Sequence, residues 1–164
     1  MFSILGMILI LAGDVLLSGY CCKERKKKLD CLFEMTLYLR EITCMIYDFK
    51  LPLEDAMQRQ SNTGTWSRFL WEYITNNPEK GIRTSLLEGL QLLPLPEEDA
   101  KNNLAEYFRQ LGKSPKEQTA EHYKSVAGQL EQLYHMKKEE YKKQNRLSAG
   151  AVYAISLAAA ILLW

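Results

Sequence analysis

The chain has 164 residues, enough for one domain with appendages, and carries 21 basic against 20 acidic side chains. A balance so close to neutral argues against nucleic-acid binding, because neutralising phosphates needs a basic surplus. The charge is also segregated: Asp14 is the single charge in residues 1–22, residues 147–164 hold none, and everything else ionic lies in 23–146.

Residues 2–22 form an apolar run about long enough to cross a bilayer. A secretory signal needs positive charge before such a run and small residues at a cleavage site. Here Lys23, Arg25, Lys26, Lys27 and Lys28 follow the run, and Tyr20 stands where a lipoprotein signal needs a small residue. The reading is an uncleaved anchor over 1–22 with its N-terminus outside and residue 23 onwards in the cytoplasm. Asp14 lies within this anchor. Ionisable groups in a span are costly, and two readings stay open for it: a polar contact with a partner helix, or a place in the water-near half of a short anchor. Cys21 and Cys22 lie at the boundary and suit either acylation or plain small apolar packing.

From Lys23 to Phe49, Leu32, Met35, Leu39, Ile42, Ile46 and Phe49 recur at steps of three and four, the stripe of a helix buried on one side. Asp30, Glu34, Glu41 and Asp48 gather towards its other faces. Leu51-Pro52-Leu53 ends this helix and starts a short one reaching about Gln60, and Ser61-Asn62-Thr63-Gly64 is a loop. Trp66, Phe69, Leu70, Tyr73 and Ile74 mark a third amphipathic helix, stopped by Asn76-Asn77-Pro78. A fourth runs from near Lys80 to Leu92 with Ile82, Leu86, Leu87 and Leu90 inward. A fifth opens at Pro96-Glu97-Glu98-Asp99, with acid in its first turn, where the macrodipole favours it, and closes at Gly112.

Ser114, Pro115 and Glu117 then read as N-cap, first helical position and capping box. From Ser114 to Trp164 there is no proline, so one helix of about 50 residues would span about 75 Å at roughly 1.5 Å per residue. Tyr123, Val126, Ala127, Leu130, Leu133 and Tyr134 form its apolar stripe. Lys137, Lys138, Lys142, Lys143 and Arg146 form a basic knot before the uncharged end. That knot places Trp164 outside, in agreement with the first anchor.

The expected fold is therefore all-α: a cytosolic bundle of about six helices over 23–146, flanked by transmembrane helices over 1–22 and 147–164, the latter continuing the last helix. No glycine-rich phosphate loop, nucleophile elbow or metal-protease helix occurs, and the cysteines and histidines lack zinc-ligand spacing. The reading is a protein that is not an enzyme and takes no cofactor or metal.

The N-terminal anchor, the helix carrying Leu37-Tyr38-Leu39-Arg40-Glu41-Ile42, then Leu51-Pro52-Leu53-Glu54-Asp55-Ala56, Leu111-Gly112-Lys113-Ser114 and a last anchor follow in an order that resembles the stage III sporulation protein AB family. The chain departs from the family's pattern at Pro115, where an Asp is common, at Gln118, a displaced Gln, and near Thr84-Ser85, where a Trp is often found. The resemblance implies a component of the channel-like apparatus between mother cell and forespore in endospore-forming bacteria. It also implies a soluble domain similar to the cytoplasmic domain of type II secretion protein F.

By that analogy the chain is a non-enzymatic membrane platform docking a cytoplasmic secretion-type ATPase, stage III sporulation protein AA, beside other membrane components of the channel. The rival reading is an adaptor or assembly factor without motor contact. Localisation follows: the mother-cell-side membrane, the bundle in the cytoplasm and both termini outside. The candidate partner surface is the acidic face of the first soluble helix, Glu34, Glu41 and Asp48, centred on Glu41, which matches the family's Glu before Ile.

Overall fold

A computed structural model describes the backbone of residues 2–111 and 116–163, and the side chains chiefly of 18–111 and 120–148. The helices are α1 (Phe2–Tyr47), α2 (Leu53–Gln60), α3 (Thr65–Thr75), α4 (Ile82–Gln91), α5 (Glu98–Gln110) and α6 (Lys116–Leu163), with a 3-10 turn at Pro78–Lys80 before α4. No strand occurs among the described residues. The chain forms two compact units, residues 28–135 and residues 1–27 with 136–164. Both basic clusters, apart from Lys28, fall in the unit that carries the apolar ends.

The core of unit 28–135 is the meeting of the stripes read from the sequence. Leu32, Met35, Leu39 and Ile42 of α1 are fully buried, as are Leu70 of α3 and Leu90 of α4, and Val126, Leu130 and Leu133 of α6 close over them. Each buried aliphatic side chain contributes about 1.5–3 kcal/mol over its exposed state, so this stripe is a large contributor to stability. Ile46 is only partly buried, and Phe49 is 69% exposed, a correction to the expected stripe. The reason is local: α1 stops at Tyr47, Lys50 takes a left-handed φ of 57°, and the Leu51 N–H reaches back to the Met45 carbonyl, 3.0 Å away. Phe49 thus leaves the helix before its stripe position could turn inward.

The linking segments are tied by side chains. Arg83 of α4 donates to the Leu111 carbonyl at 2.9 Å and approaches those of Phe108 and Arg109 at 3.4 Å, which satisfies carbonyls left over at the end of α5. Ser85, fully buried, donates to the Asn77 carbonyl at 3.1 Å. The Gly112–Ser114–Pro115 junction falls outside the described residues, as does the side chain of Glu117.

In the unit of 1–27 with 136–164, α1 and α6 meet through polar groups. Arg25 donates from Nη1 to Asn145 Oδ1 at 3.0 Å, and its guanidinium lies 6.0 Å from the centre of the Tyr141 ring. None of the described side chains in this unit is buried, and Leu16, Tyr20 and Leu147 are 74%, 69% and 64% exposed. Among the described residues no helix is long and apolar enough to cross a membrane. The expected anchors rest mainly on residues 2–12 and 152–164, most of whose side chains lie outside the described residues, and so does the side chain of Asp14.

Candidate functional site: the outer face of the first helix

The expected acidic face separates into three different environments. Glu34 has a structural partner. Its carboxylate accepts the backbone N–H groups of Thr65, Trp66 and Ser67 at 3.0, 2.7 and 2.7 Å, and the Ser67 hydroxyl at 3.1 Å. These are the unsatisfied donors at the start of α3, where the N-cap residue, Gly64, has no side chain to offer. An anion there also meets the positive end of the helix dipole. A Cβ at Gly64 would overlap the Glu34 carboxylate, so a larger residue there would have to push that side chain away from the start of α3. Glu34 thus clamps α1 to α3 across 31 positions of sequence.

Glu41 is exposed and forms no ion pair or hydrogen bond among the described residues. It follows Leu37 by one turn and precedes Asp48 by two, so these positions share one side of α1. Asp48, also exposed, lies just past the end of α1 and hydrogen-bonds the Cys44 thiol. Partial burial, then that bond and the charge of Asp48, raise the Cys44 thiol above the usual thiol range. The shift favours the thiol over the thiolate at Cys44.

Beside this edge, and unnoticed in the sequence, runs a groove between α1 and α6 within unit 28–135. Two neighbouring hollows of about 340 and 360 Å³ lie along it, with Arg40 and Tyr123 lining both. Phe33 and Leu37 of α1 line it while remaining 51% and 43% exposed, and Phe33 lies against Tyr134 with ring centres 5.7 Å apart. Arg40 stands at the middle of the groove, exposed and without an ion pair among the described residues. The signal was present: Phe33, Leu37, Arg40 and Cys44 are spaced by three and four, a second stripe on α1. Its mixture with charged neighbours hid it behind the stronger core stripe.

Behind the groove the packing is fixed by polar and aromatic contacts. The Thr43 hydroxyl and the Tyr107 hydroxyl are hydrogen-bonded to each other, and His122 stacks on Tyr107 with ring centres 5.7 Å apart. Burial pushes the phenols of Tyr38 and Tyr107 well above their ordinary range, so both stay neutral. Among the described residues no three metal-ligating side chains converge.

Among the described residues these features define an all-α protein built on two long helices, with a groove on unit 28–135 that Arg40 and Asp48 help to line. The chain matches the stage III sporulation protein AB family over residues 3–164 and belongs to it. It is therefore a stage III sporulation protein. No curated protein and no solved structure matches it.

Proposed function

We propose that this sporulation protein is a non-enzymatic membrane platform that docks a cytoplasmic secretion-type ATPase, stage III sporulation protein AA, on the outer face of α1, within the channel apparatus between mother cell and forespore. The observation that carries the reading is the division of α1 itself. Its inward stripe is fully buried in a core, while Phe33, Leu37, Arg40 and Glu41 on the outward side stay open. A rigid helix with exposed aromatic and aliphatic groups rimmed by charge is the usual composition of a protein-binding surface. A motor as the partner rests on the likeness to the cytoplasmic domain of type II secretion protein F that the family resemblance implies. Of the acidic residues along α1 and just past its end, Glu41 and Asp48 remain as candidate contacts, because the Glu34 carboxylate is engaged at α3.

Membrane anchorage through 1–22 and 147–164 is part of the same proposal. It is supported by the apolar ends, in which Asp14 is the single charge, the basic clusters beside them and the exposure of Leu16, Tyr20 and Leu147. The topology is both termini outside and the core in the mother-cell cytoplasm. Single cysteines near residues 2 and 113 test it in intact cells: the first labels from outside and the second does not, and the reverse pattern overturns it.

Docking is tested by binding of the full chain to the ATPase encoded beside it. Glu41→Lys is expected to weaken binding on the order of tenfold at low salt, less at high salt, and to block spore development while helicity is unchanged. Unchanged binding by a folded Glu41→Lys protein moves the interface elsewhere. No binding by the unmodified chain favours the adaptor reading.

A further inference from the structure

The two basic clusters are far apart in sequence, and only the tertiary structure shows whether they act together. Over 23–28 and 137–146 the sequence holds ten cations against three carboxylates, Glu24, Glu139 and Glu140. The contact of Arg25 with Asn145 and Tyr141 puts Lys23, Arg25 and Lys26 of α1 at the level of Lys142, Lys143 and Arg146 of α6, all within one unit. Lys142 has a long, exposed pairing with Glu139 at 3.8 Å. Lys23, Lys26, Lys143 and Arg146 have no ion pair among the described residues and are exposed.

Arg25 is the distinctive member. It is half-buried, held by a neutral amide and an aromatic face, and its charge has no carboxylate partner among the described residues. One of its five N–H donors goes to Asn145, and the rest of the planar fork remains available. A positioned guanidinium of this kind suits bidentate binding of a phosphate diester, with far less ordering needed than for a mobile lysine. The neighbouring lysines supply the diffuse attraction that anionic headgroups give to basic segments next to a membrane.

We propose that the collar formed by Arg25, Lys23, Lys26, Lys143 and Arg146 is a binding site for anionic phospholipid headgroups, with Arg25 as the residue that grips the phosphate. This rests on the membrane anchorage proposed above. The occupant is a lipid rather than free phosphate because the uncharged stretches 15–22 of α1 and 147–164 of α6 adjoin the collar directly, so acyl chains have apolar surface to lie against. The site would give the protein a preference for membrane rich in anionic lipid.

The test is the full chain in nanodiscs containing equal parts of phosphatidylglycerol and phosphatidylcholine, with the lipids retained after mild detergent extraction counted by native mass spectrometry. The unmodified chain is expected to retain phosphatidylglycerol selectively. Arg25→Gln is expected to lower that selectivity about fivefold, the factor that ~1 kcal/mol per cation represents. Arg25→Lys, which keeps the charge and loses the fork, is expected to fall between the two. Lys23→Gln with Lys26→Gln lowers selectivity further with each charge removed, and circular dichroism of every variant matches the unmodified chain.

Equal retention of both lipids by an incorporated chain overturns the headgroup site and leaves anchorage standing. So does selectivity unaltered in Arg25→Gln and in the double lysine variant. Loss of selectivity in about 10 mM inorganic phosphate at constant ionic strength, where screening is unchanged, assigns the fork to free phosphate and overturns the lipid as its occupant. Failure to enter nanodiscs overturns the anchorage and the site with it.

Discussion

The same two helices, α1 and α6, behave differently in the two units. In residues 28–135 they present buried stripes, Leu32 to Ile42 on one and Val126 to Leu133 on the other, to a core completed by α2, α3, α4 and α5. In 1–27 with 136–164 they touch through an arginine, an amide and a tyrosine, and their described apolar side chains face outward. Helix continuity therefore says little about what stabilises a helix. One stretch is held by burial of its own apolar area, whereas the other leaves apolar area for an external surface to cover.

The sharpest way to break that contrast is to place the same charge in each unit. Leu39→Asp buries an unpaired carboxylate at a fully enclosed position, which costs several kcal/mol against a typical total stability of about 5–15 kcal/mol. The cooperative thermal transition of the full chain is expected to disappear. Leu147→Asp, at a position 64% exposed, is expected to leave that transition within about 0.5 kcal/mol of the original while reducing the membrane-associated fraction. Equal loss of the transition in both variants would show that the two units share one core.

A smaller effect tests the clamp that orients α3 on α1. Glu34→Ala strands three backbone donors and is expected to destabilise by about 1–3 kcal/mol in denaturant unfolding. Gly64→Ala is expected to cost a similar amount by displacing the same carboxylate, and the double variant is expected to lose less than the sum. Strict additivity would mean that the two residues act independently, contrary to their geometry. Unit 1–27 with 136–164 has no part in the clamp, so its helicity is unaltered.

Lys50→Gly is expected to stabilise by about 0.5–1 kcal/mol, since glycine enters the left-handed region without the strain a Cβ brings there. No change in the denaturation midpoint would show that the end of α1 relaxes at no cost.

The smallest effect is a surface one. Glu88 accepts from Lys80 at 2.7 Å and from the Tyr73 hydroxyl at 3.1 Å, and these bonds hold its carboxyl below the usual range. The hydrogen bond to Glu88 raises Lys80 above its own. A lowered carboxyl contributes stability that is present above its unfolded value and lost as pH falls through the folded one. The raised lysine contributes stability present below its unfolded value and lost as pH rises through the folded one. Both partners are about 40% exposed, so water screens the pair. Glu88→Gln is expected to flatten the acid side of the stability profile slightly, and a steeper acid limb would contradict the assignment.

What the sequence determined by itself is local and periodic. The α2 to α5 spans, the core stripe of α1 through Ile42, the Val126–Leu133 stripe of α6 and the absence of strands among the described residues follow from spacings of three and four. Such spacings act within one helix, and proline and glycine punctuate between helices. Phe49 failed the same rule because its helix ends first, where Lys50 takes a left-handed turn that no pattern of hydrophobicity encodes.

Only the tertiary structure decided what the polar residues do. Glu34, Glu41 and Asp48 have one composition and one spacing, yet Glu34 meets α3 while Glu41 faces outward, because the loop carrying Gly64 comes close to one and not the other. Arg25 and Asn145 are 120 positions apart, and the groove joins α1 to α6 through Arg40 and Tyr123. Pairings of that length depend on how the buried stripes dock, and docking is a property of the assembled core that no single helix carries.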